Sequence, residues 1–149
     1  MAQYEAEDFF EAERLHRAAF DGDIPEMARL VAAGYSLELF DDLEKAPLHY
    51  AVENDKLEAV RWLLDQGANI NSNNEPKIGE TPLCVGAQGS SLQVVEFLLK
   101  HGADPDINGW MGLTARIRAH RRKDSVGQSI ATLIEKYRPA RPPHTTKHR

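Results

Sequence analysis

Leu48-His49-Tyr50-Ala51-Val52 restates Leu15-His16-Arg17-Ala18-Ala19 after 33 residues, and Leu83-Cys84-Val85-Gly86-Ala87 restates it again, weakened, after a further 35. Each phrase is followed by an apolar run that stops at a glycine, and Gly34, Gly67 and Gly102 keep the same two steps. A fixed period in this range marks stacked supersecondary units, none of which can bury its apolar face alone. Such stacks present binding surfaces more often than catalytic pockets.

Each unit reads as two helices. The first is short and opens at the Leu-His phrase, and its small residues (Ala18, Ala19, Ala51, Gly86, Ala87) permit close packing. The second carries apolar residues at i, i+3, i+6 and i+7: Ile24, Met27, Leu30, Val31; Leu57, Val60, Leu63, Leu64; Leu92, Val95, Leu98, Leu99. That spacing predicts one buried stripe of helical period. The terminal glycine supplies the left-handed residue that ends the helix. Pro47 and Pro82 stand where a first helix begins. Thr81 can cap the third unit, whereas Ala46 leaves the second uncapped. Trp62 and Phe97 share a register position and are expected in the core or packed on the outer face. A fourth unit is degenerate: Thr114 follows Thr81 by 33 residues, and Arg116-Ile117 replaces the Leu-His pair. Its second helix keeps Val126, Ile130, Leu133 and Ile134, as a polar capping repeat would.

The chain resembles the ankyrin-repeat family over about residues 12–136. The resemblance is carried by Ala46-Pro47-Leu48-His49-Tyr50-Ala51 through Leu63-Leu64-Asp65-Gln66-Gly67-Ala68-Asn69, and by Gly79-Glu80-Thr81-Pro82-Leu83 through Leu98-Leu99-Lys100-His101-Gly102-Ala103-Asp104. It implies an all-α solenoid of helix-turn-helix units, with β-hairpin fingers over 35–45, 68–80 and 103–113. The middle finger is two residues longer, a neutral insertion or a partner-shaped finger. The expected organisation is one domain over 1–138: an acidic helical extension (1–13, shielded by Phe9 and Phe10), repeats at about 14–45, 46–80 and 81–113, and a cap at 114–138. A basic, proline-rich flexible tail covers 139–149. Glu44 stands where the family usually has the finger glycine, which puts local finger geometry in question.

Composition sets further limits. Residues 1–113 hold 8 Lys and Arg against 21 Asp and Glu, net −13, while residues 114–149 hold 10 against 2, net +8. The single cysteine excludes an internal disulfide and fits a reducing compartment. No stretch approaches the ~18 apolar residues of a membrane helix, and the acidic start lacks a signal-peptide core. A soluble, cytoplasmic protein, monomeric when free, is expected.

Chemistry-bearing motifs are scarce. His101, His120, His144 and His148 have no metal-ligand spacing with a cysteine pair. The resemblance makes His16 and His49 structural ties between repeats. Cys84 occupies the histidine slot of the third repeat and reads as a small buried residue. No phosphate loop or nucleophile motif appears, so neither catalysis nor a cofactor is expected. The cluster Arg116, Arg118, Arg121, Arg122 and Lys123 either contacts phosphates or neutralises the acidic body.

By the resemblance, partners are gripped at finger tips and at the exposed ends of the first helices. Carried over by register, the tips are Asp42, Leu43, Lys45; Lys77, Ile78, Glu80; and Trp110, Met111, Leu113. The helix positions are Phe20, Asp21; Glu53, Asn54; and Gln88, Gly89. Phe20, Leu43, Trp110 and Met111 are large apolar residues where water is expected, a composition typical of interface cores. Trp110 either anchors a partner or folds back over the fourth repeat as a lid. The expected function is a non-catalytic protein-binding module acting as a binder, scaffold or inhibitor, such as an immunity protein that blocks a basic toxin or enzyme. The alternative is nucleic-acid or anionic-surface binding through the basic C-terminal segment.

Overall fold

A computed structural model describes residues 13–74 and 79–137. The extension with Phe9 and Phe10, the tip residues Lys77 and Ile78, and the tail lie outside the described residues. Eight α-helices are present among them: α1 Arg14–Asp21, α2 Ile24–Ala32, α3 Pro47–Glu53, α4 Leu57–Asp65, α5 Pro82–Gly89, α6 Leu92–Lys100, α7 Ala115–Arg121 and α8 Ser125–Lys136. The odd-numbered helices stack on one another, as do the even-numbered ones, and the two helices of each unit pack against each other. This is the all-α ankyrin solenoid that the repeat phrases predict.

The stripe positions form the core. Met27, Leu30, Val60, Leu63, Val95, Leu98, Ile130 and Ile134 are fully buried. Trp62 and Phe97 are half-buried and pack against this core from outside. The helix stops follow one pattern three times: Tyr35, Ala68 and Ala103 donate to Leu30, Leu63 and Leu98 carbonyls five residues back, at 3.1, 3.0 and 3.0 Å. The preceding glycines take φ of 104°, 99° and 92°, a region closed to most side chains.

The caps follow side-chain chemistry. Thr81 Oγ1 accepts the Cys84 N–H at 3.0 Å. At Ala46 the missing cap is partly replaced, because His49 Nδ1 accepts the Ala46 N–H at 3.0 Å. In α7, Thr114 Oγ1 accepts the Ile117 N–H at 3.2 Å.

The fingers differ from expectation: no β-strand is present among the described residues. Side chains close these segments in place of a strand ladder. Ser36, Asn69 and Asp104 each accept the N–H two residues on, at 3.1, 2.9 and 2.9 Å, in the 33/35 register. Asp41 Oδ1 then accepts both the Leu43 and Lys45 N–H groups at 3.0 Å. Such local bonds compete with ladder formation. The finger-glycine register is also kept: Glu44, Gly79 and Gly112 all have positive φ, at 59°, 53° and 72°. Glu44 holds that conformation while buried, with its carboxylate accepting from Asn74 of the next finger.

His16 Nε2 lies 2.8 Å from Leu39 O and 3.1 Å from Lys45 O, which are 23 and 29 residues on. Cys84 Sγ faces the carbonyls at the same two offsets, Ile107 O at 3.9 Å and Leu113 O at 3.7 Å. In the second repeat, His49 Nε2 donates to Glu80 O at 2.6 Å, the 29-residue offset extended by the longer finger. The histidines thus tie one repeat to the next, and the thiol keeps their place with a weaker donor.

Burial holds the His49 imidazole below its ordinary value, against the opposing effect of its backbone bond to Glu80. A base with a depressed folded pKa contributes fully above its unfolded value of about 6.5, and that contribution is lost as pH falls below it. Melting temperature is therefore expected to fall from about pH 7.5 to about 5.5, and to fall less in His49→Gln. Thermal melts of both proteins at the two pH values check this.

Candidate partner-binding face

The first helices and the finger turns share one side of the stack. There a groove of about 390 Å³ is lined by Lys45, Glu53, Glu80, Gln88, Gly89, Trp110 and Arg118, together with Val85 and Ser90. Six of the predicted positions, Gly89 among them, therefore meet in one place. They arrive from three repeats, because the fixed step brings equivalent residues of successive units side by side.

Most of the groove's charged groups are already paired, although Glu80 Oε2 is buried with no hydrogen bond among the described residues. Lys45 Nζ donates to Glu53 Oε2 at 3.0 Å and sits 5.4 Å over the Tyr50 ring. Tyr50 in turn donates to Asp41 Oδ2. Burial first, and then the Asp41 carboxylate, push the phenol well above its ordinary value, so it stays protonated. Phe20 leans on the same ring with centroids 6.4 Å apart, which continues the face into the first repeat.

At the other end, Arg118 forms the floor. Its guanidinium donates to Glu80 Oε1, to Gln88 Oε1 at 2.6 Å and to Leu113 O at 3.2 Å. Glu80 Oε1 also accepts the Trp110 backbone N–H at 2.8 Å. Trp110 opens a short 3₁₀ turn, Trp110–Gly112, in which Met111 takes φ 57°. Backbone in that region is costly for a side-chain-bearing residue. It holds Met111 out at 75% exposure, beside Trp110 at 53%.

The remaining predicted residues divide by environment. Leu43 is 64% and Phe20 48% exposed. Asp21, Asp42, Glu53, Gln88 and Gly89 are exposed as well. Asn54 is half-buried and donates to Tyr50 O at 3.0 Å, a local helix-end bond. Lys45 and Glu80 are largely covered by their ion pairs, with side-chain exposures of 19% and 13%. Leu113 is half-buried. Asp42, Leu43 and Met111 stand on finger turns outside the groove.

Two contributors escape the sequence reading. Arg118 looked like one cation of a surface cluster, yet its side chain is only 9% exposed. The detectable signal was register: Arg17, Tyr50, Val85 and Arg118 are equivalent, on the helix side facing the fingers. Leu39, 42% exposed, adds apolar surface. The basic cluster is also divided. Arg116 pairs with Asp106 at 2.9 Å and with Glu135, and Arg122 pairs with Asp124 at 2.8 Å and donates to Ser90 O at 2.8 Å. Among the described residues no three His, Cys, Asp or Glu side chains gather as a metal site. None of their helices is long and apolar enough to cross a membrane.

The family described as "Ankyrin repeats (3 copies)" matches residues 15–109. Among characterised proteins, the chain is 36% identical over 126 residues to the human transient receptor potential cation channel subfamily A member 1, covering 82% of this chain and 11% of that protein. It is 37% identical over 110 residues to the rice BTB/POZ domain and ankyrin repeat-containing protein NPR5, covering 74% and 21%. It is 36% identical over 115 residues to the Caenorhabditis elegans BRCA1-associated RING domain protein 1, covering 77% and 15%. The chain thus spans between about a tenth and a fifth of the length of these relatives. It belongs to the ankyrin-repeat family, and its repeats are a protein–protein interaction module.

Proposed function

We propose that the face built from the first helices and finger turns grips another protein, and that occupying this face is how the chain blocks or scaffolds its partner. The observation that carries the reading is the set of large apolar side chains, Phe20, Leu43, Trp110 and Met111, each about half or more exposed on first-helix ends and finger turns, with Trp110 also lining the groove. Exposed apolar surface rimmed by polar groups marks interaction sites. Tryptophan and methionine are enriched in interface cores.

Charge supports a basic partner surface over the first repeats. The −13 balance of residues 1–113 attracts such a surface and speeds encounter. A basic toxin or enzyme held by an inhibitor of this kind is one form that fits. Nucleic acid is less well served, because Arg116, Arg118 and Arg122 already face carboxylates.

Amide hydrogen exchange on the complex with a captured partner tests the assignment. Slowing is expected at the C-terminal ends of α1, α3 and α5 and at the turns over 41–45 and 109–113. Slowing confined to α2, α4 and α6 would place the contact on the opposite side and overturn it.

A further inference from the structure

We infer that the C-terminal end of this face is a carboxylate-accepting cleft, which takes an acidic side chain of the protein partner and so sets the direction in which that partner lies along the stack. The inference rests on the protein-binding reading above. The cleft, about 350 Å³, adjoins the groove and shares Gln88, Trp110 and Arg118 with it; beyond them it is lined by Leu113, Arg121 and Arg122. Three guanidiniums line it and no carboxylate does.

The three cations are not equivalent. Arg118 already donates from each of its three nitrogens, to the Leu113 carbonyl, Gln88 and Glu80. Arg122 uses Nε on Asp124 and Nη1 on the Ser90 carbonyl. Its Nη2 makes no hydrogen bond among the described residues. Arg121 is exposed at the last turn of α7 and has no ion pair or hydrogen bond among the described residues. An entering carboxylate therefore meets one uncommitted guanidinium and the outer edge of a second. Trp110 and Leu113 supply apolar surface for its methylene stem. Arginine suits this task because its planar fork pairs both oxygens of a carboxylate.

The opposite end of the face has the opposite sign. Asp21 and Asp42 are exposed there, and of the cations at that end Lys45 is held by Glu53 and Arg17 is engaged as well. A partner segment that is basic over the first repeat and acidic over the fourth is attracted along its whole length. The reversed segment brings like charges together at both ends, which is the usual way a register is excluded. A nucleic acid would need a continuous run of cations. Here Glu80 and Asp124 stand beside the cleft and interrupt it.

The test uses the whole chain, immobilised and panned with a phage-displayed library of random 12-residue peptides. The expected result is enrichment of Asp or Glu next to an apolar residue. Selected peptides, measured by fluorescence polarisation, should bind Arg121→Glu at least tenfold more weakly and Arg121→Gln with an intermediate loss. Thermal melts show whether either variant is folded. Enriched peptides without acidic excess, peptides indifferent to Arg121→Glu, or no enrichment would overturn the inference. So would a single-stranded 12-nucleotide probe that competes for the cleft. If peptides still bind at the Trp110 groove while ignoring Arg121→Glu, the cleft alone fails; if Trp110→Ala is also without effect, the binding face fails with it.

Discussion

Arg118→Met is expected to lower the free energy of unfolding by about 3–5 kcal/mol, the usual cost of removing one partner from a buried ion pair. Methionine matches the aliphatic length of arginine, so the loss comes from what the guanidinium leaves behind. The Glu80 side chain is only 13% exposed, and its Oε2 is buried with no hydrogen bond among the described residues. Without Arg118, a carboxylate would remain in the wall of the groove with only the Trp110 N–H on its other oxygen. Gln88 Oε1 and the Leu113 carbonyl would each lose a donor as well. The pair also joins the finger that closes the second repeat to the first helix of the fourth. In a repeat stack such interface contacts set whether the end unit stays docked. Adding Glu80→Gln should recover part of the loss, because no unpaired charge remains; neighbours of this kind couple by about 0.5–3 kcal/mol. Urea unfolding followed by circular dichroism measures both. An Arg118→Met transition that overlays the wild type would show that water reaches the pair, and would remove it as the floor of the site.

The stack was readable from sequence because three independent signals agree: the apolar stripe, the small residues of the first helix and the glycine stop. Each reflects a local constraint, and their common step is a packing requirement. The fingers were less readable. Strand pairing was expected from the family pattern, but Ser36, Asn69, Asp41 and Asp104 fold the segments by bonding to their own backbone. Glu44 shows the same limit. A glutamate gives no local hint of φ 59°; the conformation is inherited from the register it shares with Gly79 and Gly112.

At the site, what could be seen was hydrophobicity out of place. Phe20, Leu43, Trp110 and Met111 are conspicuous on polar turns and helix ends, and the structure leaves all four exposed. What could not be seen was which charges neutralise one another. Lys45 with Glu53 is a contact across a finger, and Arg118 with Glu80 spans 38 residues. Only the fold decides that Lys45 and Glu80 are committed while Asp21 and Asp42 stand in water.

The second large effect is on binding. Trp110→Ala combined with Leu43→Ala is expected to abolish capture of the partner that the wild-type chain retains, with the melting temperature little changed. An interface anchor of this type is worth ~2 kcal/mol or more when truncated, so losing two should weaken binding by a factor on the order of 10³. Neither side chain is core, since they are 53% and 64% exposed. The matched control is Glu58→Ala with Arg61→Ala on α4, an exposed pair on the other side of the stack. Measuring the partner's dissociation constant for these three proteins tests the binding face most directly. Loss of binding in the Trp110/Leu43 variant and full binding in the Glu58/Arg61 variant is the predicted result; undiminished binding by a folded Trp110/Leu43 variant would contradict it.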